Sequence, residues 1–244
     1  IWKSNFNEAD LTGANLNRAE VWGATFKNTI LKNAHLKYVS FSGTDSVPTF
    51  DLLSGADLSG TDLEGASLDE IDLRQTNLKG ANLNRTSLIR ANLSGVDLSD
   101  AELSEADLEG ANLSGANLRG ADLRYANFSA HWDDVFGNGY TFKGANLNGA
   151  DLRKARLFGA DFTKVDLSDT DLRKADLRKA NFTDANIKGA KLRGADLEGA
   201  ILCNTKTSRG IDDSGCRSFS EEYTPETPLW KTDLKGWVDK YGFK

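Results

Sequence analysis

The chain has 244 residues, a formal net charge of −6 and a mean hydropathy of −0.47. Its length is ample for a buried core, and it has no apolar run near the roughly 20 residues of a membrane-spanning helix, which excludes such a segment. Two Cys and two His are too few for a Cys/His zinc framework, a haem site or an iron–sulfur cluster. Because the chain begins at Ile1 and contains no Met, we expect either a processed form from which a targeting peptide has been removed or a trimmed chain.

A five-residue period runs through most of the chain. Large apolar residues, here called centres, recur every five residues over 6–41, 58–128 and 142–202, which makes 36 units. Ala usually stands two residues before the centre, and Asp or Asn usually stands directly before it. A period of five matches neither an α-helix nor a β-strand, but it fits a chain that turns a corner every five residues.

Four such corners close one square coil, so that a coil consists of four repeat units. Each side of the coil then points one large and one small residue inward, and the centres can pack closely around a narrow axis. Asp, Asn, Gly and Ser supply turn chemistry at the corners, and successive coils can pair through backbone hydrogen bonds at strand spacing. We therefore predict an all-β solenoid of about nine coils over residues 1–202.

The repeat unit resembles that of a known family. Units such as Ala106-Asp107-Leu108-Glu109-Gly110 are similar to those of the pentapeptide-repeat proteins, and 36 such units cover about 180 of the 244 residues. The resemblance implies a right-handed quadrilateral β-helix. It implies little about function, because the repeated residues build the core and not a site.

The period is interrupted twice, at 42–53 and at 129–140. Insertions in a solenoid leave through a corner and form surface loops, which often carry the binding function. Because the pattern of centres resumes unchanged after each interruption, we predict one continuous rod.

The second predicted loop exposes the more distinctive residues, His131, Trp132, Phe136 and Tyr140. The aromatic side chains either fold back over the rod or contact a partner, since exposed aromatic residues are common at interfaces. One histidine beside Asp133 and Asp134 is more typical of a polar loop than of a metal site. We therefore predict no metal and no cofactor.

After the last centre, the segment Cys203-Asn204-Thr205, followed by a glycine-containing stretch and Cys216, resembles the ending of many cyanobacterial and plastid pentapeptide proteins. The resemblance implies a Cys203–Cys216 disulfide at the end of the rod; two reduced thiols are the alternative. A disulfide would place the protein in an oxidising compartment, the thylakoid lumen or the periplasm, whereas free thiols would favour the cytoplasm.

The C-terminal segment 203–244 is predicted to cap the rod, with an α-helix over 228–241. Thr227 can cap the helix and Gly242 can end it. One face of this helix is apolar: Trp230, Leu234, Trp237, Val238 and Tyr241. The helix covers the open end of its own rod or, as the alternative to a capped monomer, forms a dimer or binds a partner.

Charge is segregated along the predicted rod. Residues 56–110 carry twelve acids and four bases, a charge of −8, whereas residues 143–193 carry twelve bases and seven acids, a charge of +5. Positions that differ by twenty share a side on adjacent coils, so Arg153, Arg173 and Arg193 should stack. We predict that these arginines and the 129–140 loop form the site that binds a protein partner.

The sequence thus predicts a non-enzymatic rigid scaffold or protein-interaction module in a photosynthetic membrane compartment. The alternative is a DNA mimic that binds a topoisomerase, as some members of the family do, because the acidic segment locally approaches the charge density of duplex DNA. Catalysis is not expected, since His35 and His131 are far apart in the repeat and no nucleophile elbow or phosphate-binding loop is present. The net negative charge argues against direct binding of nucleic acid.

Overall fold

The described chain winds into successive square coils, each made of four repeat units. Asp57 forms a parallel bridge with Asn77, and Asp62 does so with Asn82, as do equivalent residues along the rod. Four bridges, one for each side, join successive coils where the repeat is uninterrupted, and three join the described residues across each interruption, so the predicted β-solenoid is observed. The computed structural model describes residues 1, 3–21, 23–41, 52–128, 142, 144–208 and 210–212.

Each corner is a tight turn that follows from the residues around a centre. At Leu58, the centre's carbonyl accepts a hydrogen bond from the backbone N–H of Thr61 at 3.1 Å, and Gly60 between them has a φ of 64°. A turn of this kind needs a positive φ at its third residue, which glycine adopts without strain. The carboxylate of Asp57 accepts the N–H of Ser59 at 3.0 Å and so holds the start of the corner.

The core is a column of apolar side chains inside the coils. The centres and the small residues two positions before them are buried along most of the rod. Where Thr replaces the small Ala, its hydroxyl finds a backbone carbonyl: Thr61 donates to Leu31 and Thr86 to Leu63, both at 2.9 Å. Within the described residues, no buried side-chain polar atom lacks a hydrogen-bond partner.

Phenylalanine centres stack on one side of the rod. The ring centroids of Phe142 and Phe162 are 5.0 Å apart, those of Phe162 and Phe182 are 5.1 Å apart, and both pairs are nearly parallel. These distances match the spacing of hydrogen-bonded strands, so the rings pack without disturbing the backbone pairing.

Parallel bridges cross both interruptions of the repeat. Ile30 pairs with Asp57 across the first, and Asn117 pairs with Asn146 across the second. Where the repeat is uninterrupted, the numbers of two paired residues on successive coils differ by twenty. They differ by twenty-seven for Ile30 and Asp57 and by twenty-nine for Asn117 and Asn146. The insertions therefore lengthen single coils by seven and by nine positions and leave every side in register.

The rod resumes earlier than predicted after the first interruption. Leu52 and Leu53, which the sequence assigned to the 42–53 loop, are buried, and the Leu52 carbonyl accepts the N–H of Phe26 at 2.9 Å. Leu53 is thus a centre whose preceding residues do not follow the repeat. The rest of this loop and all of the 129–140 loop lie outside the described residues.

The C-terminal end of the rod extends one side beyond the predicted boundary at 202. Lys206 bridges Asn186, and Thr205 is buried at the position of the small Ala. The strand β1 (Thr205–Thr207) pairs antiparallel with β2 (Gly210–Asp212), with Lys206 opposite Ile211. Cys216 and the predicted helix 228–241 lie outside the described residues, so the disulfide, the cap and dimerisation stay predictions.

Candidate protein-interaction site

The three predicted arginines lie together on one side of the rod. They line a groove of about 430 Å³, which we call the basic groove. Its lining residues are Arg153, Lys154, Arg173, Lys174, Arg193 and Gly194. Because each residue lies one coil from its counterpart, the groove runs along the rod axis with arginines at one edge and lysines beside them.

Aspartates hold two of these arginines in a fixed geometry. The Arg153 guanidinium donates from Nε to Asp151 Oδ1 at 2.9 Å and from Nη2 to Asp151 Oδ2 at 2.6 Å. Arg173 makes the same pair of hydrogen bonds to Asp171, at 2.8 and 2.6 Å. Two parallel hydrogen bonds to one carboxylate fix the plane of the guanidinium group as well as its position.

The same arginines also reach the carboxylate of the next coil. Arg153 Nε lies 3.8 Å from Asp171 Oδ2, and Arg124 Nε, one coil earlier, lies 3.9 Å from Asp151 Oδ2. Acidic and basic groups therefore alternate along the groove edge, and we call this row the Arg–Asp ladder. It contains Asp122, Arg124, Asp151, Arg153, Asp171 and Arg173.

The ladder keeps both partners charged at neutral pH. The Arg173 hydrogen bonds are the main cause of a pKa of Asp171 below its ordinary value, against a smaller opposing effect of burial. The hydrogen bonds to Asp151 likewise raise the pKa of the Arg153 guanidinium. The aspartates thus offset part of the repulsion between the stacked arginines.

The alternation of Asp and Arg ends at the last coil of the groove, which contains Arg193. Position 191, which corresponds to Asp151 and Asp171 two coils and one coil earlier, is Lys. Lys191 and Arg193 are both exposed, and neither forms an ion pair with any residue that the structure describes. Position 194 is Gly, where the two preceding coils have Lys154 and Lys174.

Sequence reasoning missed one neighbour of the groove, Tyr125, which contacts Lys154. Its ring is half exposed, Lys154 Nζ donates to its hydroxyl at 2.8 Å, and the same nitrogen lies 4.8 Å from the ring centroid. The second insertion hides this neighbour, since the positions of Tyr125 and Lys154 differ by 29 and not by twenty. Counting five-residue units across the insertion would have found it.

A second, acidic groove of about 520 Å³ lies on the same side of the rod, toward the N-terminus. Its charges are partly paired: Arg85 contacts Glu105 at 3.1 Å and Glu64 at 3.7 Å, and Lys37 contacts Glu64 at 2.8 Å. The side therefore changes from acidic to basic near Arg124.

The predicted loop contribution is only partly located. His131, Trp132 and Phe136 lie outside the described residues. The insertion starts after Phe128, whose N–H donates to the Arg156 carbonyl at 2.9 Å, next to the corner that holds the exposed Phe158. The corner at Phe158 follows the basic-groove corner at Arg153 and Lys154 by one five-residue unit, so it lies on the next side of the same coil.

Among the residues that the structure describes, no group of three or more His, Cys, Asp or Glu side chains is placed to hold a metal ion. The same part of the chain contains no helix that has the length and hydropathy needed to cross a membrane. His35, the one described histidine, is exposed on the second coil.

A family model described as pentapeptide repeats matches the chain in eight copies. The matched residues are 4–43, 52–70, 66–104, 101–130, 141–173 and 165–204. No curated protein matches the chain significantly.

Several solved structures are similar. HetL, a pentapeptide repeat protein involved in heterocyst differentiation regulation from the cyanobacterium Nostoc sp. strain PCC 7120, is 34% identical over 87% of this chain and 80% of its own, with a TM-score of 0.47. A pentapeptide repeat protein from the Arabidopsis thaliana thylakoid lumen is 33% identical over 50% of this chain and 71% of its own, with a TM-score of 0.21. QnrB1, a plasmid-mediated fluoroquinolone resistance protein, is 20% identical over 82% of this chain and 92% of its own, with a TM-score of 0.40.

Proposed function

Because the chain belongs to the pentapeptide-repeat family, we propose that it is a rigid, non-enzymatic module that binds an acidic segment of a partner protein in the basic groove. The observation that carries the proposal is the basic groove itself, which gathers five cations on a chain whose net charge is −6. Lys154, Lys174 and Arg193 are exposed, and Arg153 and Arg173 are half-buried. In this family the repeated residues form the core, so function depends on the residues that the coils display.

Charge and rigidity both favour an acidic protein partner. On their own side of these coils, among the described residues, the five cations of the groove are paired with two aspartates, Asp151 and Asp171, so the groove attracts anions locally. A local positive field on a negatively charged protein steers an acidic partner to one place, at a rate that falls as salt rises. The rod supplies the cations at a fixed spacing, because each stands on a hydrogen-bonded coil.

The alternative, a DNA mimic that binds a topoisomerase, needs a long row of negative charge. On the side that carries both grooves, Glu64 and Glu105 are paired with Arg85, and the acidic row ends at Arg124. These charges favour the acidic-partner proposal over DNA mimicry.

We also propose that the protein acts in the thylakoid lumen or periplasm. The support is the ending from Cys203 to Cys216, which resembles that of cyanobacterial and plastid proteins of the family. The alternative compartment is the cytoplasm, where the two thiols would stay reduced.

The groove proposal is tested with two triple variants of equal net charge. One is Arg153→Gln/Arg173→Gln/Arg193→Gln in the groove, and the other is Lys79→Gln/Lys164→Gln/Lys188→Gln on other sides of the rod. Partners are captured from extract of the native source at several salt concentrations and quantified against the wild type. We expect the groove variant to lose a salt-sensitive partner that the control variant retains. Equal capture by both variants would overturn the proposal.

A further inference from the structure

The Arg–Asp ladder is incomplete at its C-terminal end. Along the ladder each arginine is hydrogen-bonded to the aspartate of its own coil, and the arginines at 124 and 153 also lie 3.9 and 3.8 Å from the aspartate of the next coil. The next coil of Arg173 offers Lys191 instead. Arg173 therefore has one carboxylate, and Arg193 has none among the described residues.

This end of the groove concentrates three cations without an intervening acid. Lys191 occupies the position between Arg173 and Arg193 at which the three preceding coils place Asp122, Asp151 and Asp171. Lys191 acts on its surroundings, since its charge contributes to the lowered pKa of Asp171, after the larger effects of Arg173 and burial. Asp171 is the one acid of the ladder near Arg173 and Lys191, so the three cations repel one another, and an added anion beside Lys191 and Arg193 would reduce that repulsion.

The approach to Arg193 is also more open than that to the other arginines. At the corner beside Arg153 and Arg173 stand Lys154 and Lys174, whereas the corner beside Arg193 is Gly194, with a φ of 74°. Gly194 has no side chain to cover the guanidinium group, so a ligand can reach it from the corner.

We propose that a carboxylate of the acidic partner completes the ladder at Lys191 and Arg193, and that this is the anchor point of the interaction. This inference rests on the proposed function and identifies Lys191 and Arg193 as the residues that bind the partner's carboxylate. The partner's carboxylate would accept hydrogen bonds from Arg193 in the two-bonded geometry seen between Arg153 and Asp151, and Lys191 would contribute a further cationic contact.

The ladder itself favours a carboxylate over a phosphodiester. Its internal anions are carboxylates, and the repeated N–O distances of 2.6 to 2.9 Å show that the rod presents guanidinium groups in the orientation that suits them. A nucleic acid would also approach the acidic groove on the same side, and the two would repel.

The test uses the substitution Lys191→Asp, which supplies the missing carboxylate from the chain itself. Lys188→Asp is its matched control, since it makes the same change of charge at an exposed lysine on another side of the same coil. Binding of a fluorescent oligoglutamate peptide at low salt is measured by anisotropy, with oligothymidylate as a second probe. We expect Lys191→Asp to weaken oligoglutamate binding about tenfold and Lys188→Asp to change it much less.

The thermal midpoint of each variant controls for folding. Lys191→Asp should keep or raise this midpoint, because the new carboxylate can pair with Arg173 and Arg193. Equal weakening by both variants would mean that only net charge matters and would overturn the anchor, as would preferential binding of oligothymidylate. If Arg153→Gln/Arg173→Gln abolishes oligoglutamate binding while Lys191→Asp does not, the anchor fails and the proposed function stands. If no groove variant changes binding, both fail.

Discussion

Lys154 reaches back across the second insertion to Tyr125. Its Nζ donates to the tyrosine hydroxyl at 2.8 Å and lies 4.8 Å from the ring centroid, so one ammonium group contacts both the oxygen and the face of the ring. The contact joins the coil before the insertion to the coil after it, at the N-terminal end of the basic groove.

We expect Tyr125 to lose its proton at a lower pH than an ordinary tyrosine. The hydrogen bond from Lys154 lowers the pKa of Tyr125 from its ordinary value of 10.0, with smaller contributions from Arg124 and Arg153. In an ultraviolet titration of tyrosinate, Tyr125→Phe should remove a component that ionises below the ordinary pKa of tyrosine, and Lys154→Met should move that component to higher pH. A titration curve that Lys154→Met leaves unchanged would contradict this contact.

Core substitutions should cost far more than changes to the second loop. Leu108 is fully buried in the column of centres between Leu88 and Phe128. Leu108→Ala should lower the free energy of unfolding by about 2–5 kcal/mol, through lost burial and the cavity it leaves. Shortening the 129–140 loop should cost little, because parallel bridges pair the coils on either side of the insertion. Denaturant unfolding measures both, and a loop deletion as costly as the core substitution would overturn the predicted map.

Much of this fold was predictable because one rule repeats. The alternation of a large centre and a small residue fixes which side chains enter the core, and hydrogen bonds between coils then fix the register. The rule failed where an inward position lacks its usual residue. Leu53 follows Asp51 and Leu52 instead of Ala and Asp, and the side at Lys206 has no apolar centre after Thr205, so the sequence placed both outside the rod.

Acid should weaken the Arg–Asp ladder. The pKa of Asp171 lies below its ordinary value of 3.8, chiefly through the Arg173 hydrogen bonds, so its stabilisation is present above that value and is lost as the pH falls through the lower value of the folded state. Asp171→Asn should reduce stability at neutral pH by about 1 kcal/mol or less, since Arg173 is partly exposed. Unfolding free energies of the variant and the wild type should converge in acid.

Asp169→Asn, at an exposed corner two residues away, is the matched control and should change stability less than Asp171→Asn at neutral pH. A difference between Asp171→Asn and the wild type that grows as the pH falls would have the wrong sign and would contradict the linkage.

Intact-mass analysis after alkylation tests the predicted disulfide between Cys203 and Cys216. Intact protein from its native host, alkylated with and without prior reduction, should carry no label on Cys203 or Cys216 unless it is reduced first. Loss of the bond in Cys203→Ser should lower stability by about 3 kcal/mol, as the loop-entropy model gives for a ring of this size. Two labelled thiols in the unreduced sample would favour the cytoplasm.

The candidate site was predictable only in part. The stacking of Arg153, Arg173 and Arg193 follows from their regular spacing of one coil, and the structure brings them into one groove. The pairing geometry with the aspartates does not follow from spacing, because it depends on how each side chain turns at its corner. The contact with Tyr125 was hidden by the insertion, whose length had to be subtracted before the coils could be aligned.

Both insertions leave the register unchanged, so the direction in which a residue faces depends only on how many five-residue units precede it. Adding four units between Arg124 and Arg153 would move the acidic and basic grooves apart by one coil, about 4.8 Å, and keep them aligned. Adding a single unit there would instead turn the basic groove a quarter of a revolution away from the acidic one, while the lining residues of each groove would keep their neighbours. The separation of two surface features and the angle between them can therefore vary independently in this protein, through insertions of different length.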